Sequence, residues 1–138
     1  MLSKSGVYAV RALVVLAELP SGQYQGAAAI ATRTGAPRNY LGKILQLLSR
    51  RRLVESQKGL GGGFRLARDP HSISLYDIVE AIEDVSRWKE CILGRPTCTD
   101  ANPCQVHDRW GPVRDAYLGL LKNTKIVDLT PNPRESND

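Results

Sequence analysis

The sequence predicts a mainly helical fold that carries one small β-hairpin. Three helix-forming segments come first, two short strand segments flank a glycine-rich turn directly after them, and apolar residues with heptad spacing return near the carboxyl end. With 138 residues, the chain is long enough for one domain with an appended element.

The first half of the chain contains three predicted helices. Apolar residues recur every three or four positions over residues 6–19, which predicts an amphipathic helix with Ser3 as its N-cap. A second, short helix over residues 27–34 ends at Gly35, and a third runs from about residue 38 to 51.

The second and third helices are joined by a tight turn that contains glycine, which is typical of a helix-turn-helix. The amino-terminal residues of the second helix of such a pair reach base edges in the major groove. Arginine bonds guanine and asparagine bonds adenine, each through two hydrogen bonds. The predicted DNA-reading residues are therefore Arg38, Asn39, Tyr40 and Lys43. A plain helical hairpin is the alternative interpretation.

The segment that follows favours DNA binding. Residues 53–56 and 64–66 predict two strands around the glycine-rich turn 57–63, and a hairpin directly after a recognition helix is a wing. Lys58 near the tip suits contact with phosphate or the minor groove. The turn is not a nucleotide-binding loop, because no lysine followed by serine or threonine closes it.

The charge is divided unevenly along the chain. Residues 1–70 hold eleven Lys and Arg against three acids, a balance of +8, whereas residues 71–138 hold eight against eleven, a balance of −3. A basic first half indicates a polyanionic partner and favours DNA over a second interpretation, a protein-interaction adaptor built on the same fold.

A fourth predicted helix completes the DNA-binding domain, which we place at residues 1–83. This helix covers residues 74–82, with Ser74 and Asp77 spaced as in a capping box, and its apolar face closes the core. Residues 84–105 then lose periodicity and form a predicted loop that holds every cysteine of the chain.

The cysteine loop predicts a metal site. Cys91, Cys98 and Cys104 are separated by six and five residues, and His107 follows three positions later. An odd cysteine count argues against a disulfide framework, and thiolates with an imidazole select iron–sulfur clusters or zinc. A cluster, a structural zinc and a metal-free thiol switch all stay open. An enzyme is not expected, since no oxyanion site accompanies the Cys104–His107 pair.

A dimerisation helix is predicted over residues 106–123. Its apolar residues follow a heptad seam, and a twofold dimer suits a palindromic DNA operator. The predicted interface residues are Val106, Trp110, Val113, Tyr117 and Leu120. The alternative is a helix that folds back on its own domain. Residues 124–138 are predicted to be a disordered tail. The sequence predicts neither a membrane span nor a signal peptide, so we expect a cytoplasmic protein.

Several of these motifs together resemble the Rrf-type family of winged-helix transcriptional regulators, which includes iron–sulfur regulators of the IscR and NsrR kinds. The resemblance covers about residues 1–122. It depends on Ser-Lys-Ser-Gly-Val-Tyr-Ala-Val-Arg-Ala-Leu at 3–13, Tyr40-Leu41, Gly61-Gly62-Gly63-Phe64, Leu75-Tyr76-Asp77-Ile78-Val79 and the cysteine loop.

The resemblance implies a homodimer whose three cysteines hold an iron–sulfur cluster that senses iron, redox or nitric-oxide status. It makes His107 the fourth ligand, within the pattern Cys104-x-x-His107-x-x-Trp110. A two-iron cluster is favoured. A four-iron cluster stays open, because the first cysteine gap is one residue longer than in the matching branch. An aerobic preparation can lack the cluster altogether.

The resemblance also implies how DNA would be bound. The recognition helix would enter the major groove, while Lys58, Gly59 and Gly61 of the wing enter the minor groove. Ser3 and Lys4, at the start of the first helix, would contact phosphate. A change at the cluster would reposition the cysteine loop against the recognition helix and alter the affinity for DNA.

Overall fold

The computed structural model describes residues 2–131, and at positions 86 and 87 it describes only the backbone. Within these residues the fold is mostly helical with a two-stranded antiparallel sheet, as predicted. The elements are α1 (Lys4–Ala17), α2 (Ala27–Thr34), α3 (Arg38–Arg50), β1 (Val54–Gln57), β2 (Gly63–Leu66), α4 (Leu75–Ile82), α5 (His107–Asn123) and α6 (Ile126–Leu129), with 3₁₀ helices at Pro70–Ser72 and Val85–Lys89.

The main core lies where α1 packs against α2, α3 and α4. Leu13 of α1 and Leu41 and Leu45 of α3 are fully buried there, and Ala9 and Ala12 let the neighbouring helices approach α1 closely. Each buried leucine contributes about 1.5–3 kcal/mol. This packing holds the helix-turn-helix and its recognition helix α3 in one orientation.

Local signals set the helix ends much as predicted. The Oγ of Ser3 accepts a 3.0 Å hydrogen bond from the Gly6 N–H, so Ser3 caps α1, which begins two residues earlier than expected. Ser74 and Asp77 form the expected capping box through bonds of 3.1 and 3.0 Å. Gly35 ends α2 in the left-handed region, with φ at +76°.

The wing is fastened to the helix-turn-helix. Strand β1 pairs with β2 in the register Val54↔Leu66 to Gln57↔Gly63. Gln25, just before α2, exchanges two 2.8 Å backbone hydrogen bonds with Phe64. A Cβ at Gly63 would lie 2.4 Å from the Gln25 carbonyl oxygen, so only glycine allows this close approach.

The segment before the cysteines is more ordered than a loop. Residues 85–89 form a 3₁₀ helix, and Val85 is buried in a second apolar cluster. This second cluster consists of Val79, Val85 and Leu121, with Leu2, Leu75, Tyr76, Trp88, Tyr117 and Leu118 packed around them. It joins α4, α5 and the start of the chain.

The prediction of a disordered tail from residue 124 is wrong for residues 124–131. Ile126 is fully buried in the main core, its N–H bonds the Ile73 carbonyl at 2.9 Å, and the Leu75 N–H bonds the Thr124 carbonyl at 2.9 Å. One buried apolar residue and a single helical turn are too short to show a repeating apolar pattern, so nothing in the sequence indicated that this segment is folded. Residues 132–138 of the predicted tail lie outside the described residues.

Among the residues that the structure describes, no helix combines the length and apolar character needed to cross a membrane.

Candidate metal centre and nucleic-acid interface

The three cysteines converge on one site. Their Sγ atoms all lie within 4.8 Å of one another. Cys91 follows the second 3₁₀ helix, Cys98 lies in the loop, and Cys104 is buried just before α5. The fold thus brings together the three thiols that the sequence singled out.

His107, the first residue of α5, lies beside this group. Its Nδ1 lies 3.2 Å from the Cys98 Sγ, and its Nε2 lies 2.8 Å from Oδ1 of Asp100. His107 was predicted from the sequence, whereas Asp100 was not, because nothing in the spacing of Asp100 distinguishes it from an ordinary surface acid.

The thiols differ in acidity. Hydrogen bonding from the Arg95 backbone, with a weaker contribution from Leu93, lowers the pKa of Cys91 to about 7 against the opposing effect of burial. A backbone hydrogen bond from Cys104 lowers the pKa of Cys98, but burial and hydrogen bonds to the two other thiols outweigh it and raise that pKa overall. Thiolates are the metal-binding form of cysteine, so the lowered pKa of Cys91 favours its binding form.

The donor set fits a soft metal or cluster. Thiolates bound to one zinc ion at about 2.3 Å would lie about 3.8 Å apart, and iron–sulfur clusters also take thiolates, with histidine in some cases. A small, partly open pocket of about 20 Å³ lies between the thiols, His107 and Trp110.

An aromatic stack borders the site. Trp88 stacks on Tyr117 with ring centroids 4.0 Å apart and on Trp110 at 5.8 Å, and the Trp110 Nε1–H bonds the Glu90 carbonyl at 3.4 Å. Trp88 lies in the segment predicted to be a loop, and its role was not anticipated. The stack joins the metal site to the second apolar cluster.

This stack divides the five residues predicted to form the dimer interface. Trp110 and Tyr117 pack on Trp88 of their own chain, and Val106 is the half-buried N-cap of α5. Val113 and Leu120 remain 57% and 59% exposed. The interface itself stays a prediction, and Val113 and Leu120 are its freest members.

The predicted DNA-reading residues lie together on one end of α3. Arg38, Asn39 and Tyr40 form its first turn, Lys43 follows one turn later, and all four are exposed. The Tyr40 hydroxyl contacts the Ser5 Oγ, and its ring meets Tyr8 edge-on at 5.9 Å. Tyr40 therefore also fixes α3 against the start of α1.

The wing tip is exposed and its turn needs glycine. Lys58, Gly59 and Gly61 are all exposed, and the two glycines have φ of +92° and +74°. Leu60 between them is fully exposed, a feature the sequence analysis did not single out. A short, glycine-rich tip of this kind can approach a groove closely.

The start of α1 is the remaining predicted DNA contact. Lys4 is exposed there. Ser3 uses its Oγ to cap α1, and its backbone N–H donates a 2.7 Å hydrogen bond to Oε1 of Glu83. Glu83, which ends α4, was not anticipated at this position.

A helix-turn-helix with an attached wing and an exposed basic recognition helix defines a winged-helix DNA-binding regulator. The comparison with protein families agrees with this class. The model of the Rrf2 family, described as "Iron-dependent Transcriptional regulator", matches residues 2–132, and the chain belongs to this family. Its members are transcriptional regulators and not enzymes, as the sequence predicted.

Two similar proteins are named as transcriptional regulators. A putative HTH-type transcriptional regulator of Aquifex aeolicus is 38% identical over 95 residues, which cover 67% of this chain and 66%, just under two thirds, of that relative. The HTH-type transcriptional regulator IscR of Escherichia coli is 29% identical over 131 residues, which cover 95% of this chain and 80% of that protein.

Two solved structures share the fold over nearly the whole chain. T. potens IscR has a TM-score of 0.75 at 26% identity and covers 94% of this chain and 85% of its own. CymR, described as the global cysteine regulator of B. subtilis, has a TM-score of 0.76 at 25% identity and covers 94% and 95%.

Proposed function

We propose that this regulator binds a palindromic operator as a homodimer and that an iron–sulfur cluster held by Cys91, Cys98, Cys104 and His107 modulates its affinity for DNA. The observation that carries the proposal is the convergence of three Sγ atoms within 4.8 Å, with an imidazole nitrogen 3.2 Å from one of them. Relatives named IscR and a family described as iron-dependent support it.

The protein residues would supply ligands and a movable loop. Three thiolates and one imidazole hold the cluster, which when bound makes the site responsive to oxidants, nitric oxide and iron supply. In this proposal, loading and loss of the cluster would give the loop two positions.

A physical path connects this loop to the DNA-binding surface. The loop begins after the 3₁₀ helix of residues 85–89, whose Val85 packs in the same cluster as Leu2. Glu83, two residues before Val85, binds the Ser3 N–H. An open cleft of about 640 Å³ lies between Ser3, Glu83, Trp88 and Cys91 and gives the loop room to move. The path therefore runs through α4 to α1, rather than directly to the recognition helix.

DNA binding would use the two exposed basic surfaces. Arg38 and Asn39 enter the major groove, Lys43 one turn further along α3 contacts the phosphates at its edge, and Lys58 with its flanking glycines enters the minor groove. Tyr40, braced by Ser5 and Tyr8, supports the recognition helix and presents its exposed edge. The basic first half of the chain attracts the duplex over a distance of about a Debye length, roughly 10 Å at moderate salt.

The homodimer is best tested through Leu120. This side chain is 59% exposed, so Leu120→Glu places a charge on the proposed interface without opening a core. We expect the variant to elute as a monomer in size-exclusion chromatography with light scattering. Leu129→Glu is the control, because Leu129 is also exposed but lies outside the predicted seam. A Leu120→Glu protein that remains dimeric would exclude this interface.

Anaerobic purification followed by iron, sulfide and zinc counts and an absorbance spectrum tests the metal assignment. We expect visible absorbance with iron and sulfide in wild type, and its loss in Cys98→Ala. Stoichiometric zinc without colour would identify a structural zinc site. Protein free of both metals, whose DNA affinity still depends on oxidation of the cysteines, would identify a thiol switch.

A further inference from the structure

We propose that Asp100 is a positioning residue that holds the proton of His107 on Nε2 and leaves Nδ1 as the atom that binds iron. This inference deepens the proposed function and rests on it. It concerns which atom of the ligand is used and which residue selects it.

The two ring nitrogens of His107 face different partners. Nε2 lies 2.8 Å from Oδ1 of Asp100, while Nδ1 lies 3.2 Å from the Cys98 Sγ. An ionised carboxylate can only accept a hydrogen bond, so this contact favours the tautomer with a proton on Nε2. The unprotonated Nδ1 then faces the Cys98 thiol.

Asp100 is held in place by a closed turn between two of the cysteines. The Asn102 N–H bonds the Thr99 carbonyl at 3.1 Å and the Thr99 Oγ1 at 3.1 Å, and the Thr99 N–H bonds the Asn102 carbonyl at 3.4 Å. His107 is fixed from the other side as the first residue of α5. The Asp100–His107 contact therefore joins the loop to the helix across the thiol site.

The exposure of the two side chains bears on how much their contact can contribute to folding. The Asp100 side chain is 102% exposed, and that of His107 is 20% exposed. An ion pair with one fully solvated partner contributes little to stability. A carboxylate that accepts from the second nitrogen of a ligating histidine, in contrast, orients the ring and strengthens its donor atom.

Asp100→Ala tests this role, with Asp108→Asn as the control. Asp108 is an exposed acid next to His107 in the first turn of α5, so its substitution removes a similar charge without touching Nε2. After anaerobic reconstitution with iron and sulfide, we expect Asp100→Ala to hold iron about 10-fold to 100-fold less tightly against a chelator. Asp100→Asn, whose amide oxygen still accepts the bond, should fall between it and wild type, and Asp108→Asn should match wild type.

A spectroscopic measurement separates ligand selection from loop support. The chain has two histidines, and His71 is exposed and bonded to Asp69 instead. With ¹⁵N placed only at histidine Nδ1, the reduced wild-type cluster should show strong ¹⁵N coupling by electron paramagnetic resonance methods. The Asp100→Ala protein should show a mixture of coupling to the labelled Nδ1 and coupling to the unlabelled Nε2.

The possible failures are distinguishable. Wild-type protein that takes up no iron and sulfide would overturn the proposed function and this inference with it. If wild type loads, Cys98→Ala does not, and Asp100→Ala retains iron and coupling like wild type, only the role of Asp100 is overturned. Coupling through Nε2 in wild type would also overturn it. Equal melting temperatures of the iron-free proteins verify that the variants fold.

Discussion

The backbone N–H of Ser3 donates a 2.7 Å hydrogen bond to Oε1 of Glu83, which joins the amino-terminal end of α1 to the residue that ends α4. A carboxylate at a helix amino terminus is stabilising, because it meets the positive end of the helix dipole. Ser3 and Lys4 are predicted to contact a DNA phosphate at the same place, so we expect the Glu83 carboxylate to oppose DNA binding while it stabilises α1.

Glu83→Gln should therefore separate these two effects. The amide retains a hydrogen-bond acceptor but loses the charge, so we expect a loss of about 0.3–1 kcal/mol in the free energy of unfolding. The affinity for duplex DNA should rise, as measured by fluorescence anisotropy at fixed salt. Glu80→Gln, an exposed acid on the same helix, should leave the affinity closer to wild type. Weaker DNA binding by Glu83→Gln would show that the carboxylate supports the DNA-bound form instead.

The residues after α5 should be required for folding stability. Ile126 is fully buried against the main core, so Ile126→Ala is expected to cost about 2–5 kcal/mol in chemical denaturation. Leu129→Ala, on the same short helix but 40% exposed, should cost much less. Equal and small losses for both variants would mean that this segment does not pack on the domain in solution.

Tryptophan fluorescence should report loading of the metal site. The chain has two tryptophans, which stack on each other, and Trp110 lines the thiol site. A visible-absorbing cluster beside them should quench their emission upon anaerobic reconstitution. Cys98→Ala should show no such quenching under the same treatment. Quenching of equal size in that variant would place the bound iron elsewhere.

Lys43 should act as a phosphate contact on the recognition helix. Removing one such contact weakens binding on all sequences and lowers the slope of log affinity against log salt by about 1. We expect this result for Lys43→Ala on any duplex of suitable length. Lys122→Ala is the control, because Lys122 is a lysine of α5 outside the recognition helix and lies over the ring of Tyr76. An unchanged salt slope for Lys43→Ala would argue against phosphate contact.

Asn39 should act differently, through base recognition. On an operator selected from a random DNA pool, Asn39→Ala is expected to lose about 1–3 kcal/mol of discrimination at one position while its salt slope stays near that of wild type. A uniform loss across all sequences would instead identify Asn39 as a backbone contact. The measurement is competitive binding against single-base variants of the operator.

Local sequence signals determined most of the architecture. Each of these signals involves residues that are close together in the sequence, so it is visible without the fold. They are the apolar spacing of α1 and α3, the Ser74–Asp77 capping box and the glycine-rich wing. The cysteine loop is also visible in the sequence, because thiols and an imidazole at these spacings have few other uses.

Only the tertiary structure decided which side chains meet across distant segments. Heptad spacing identified one stripe on α5, but Trp88 covers Trp110 and Tyr117 and leaves Val113 and Leu120 exposed. Ile126 becomes a core residue because two backbone hydrogen bonds fix its segment: the Ile126 N–H bonds the Ile73 carbonyl, and the Leu75 N–H bonds the Thr124 carbonyl. Asp100 meets His107 because a turn closes between two cysteines. Such contacts depend on how separate elements pack, and no local pattern of residues specifies that packing.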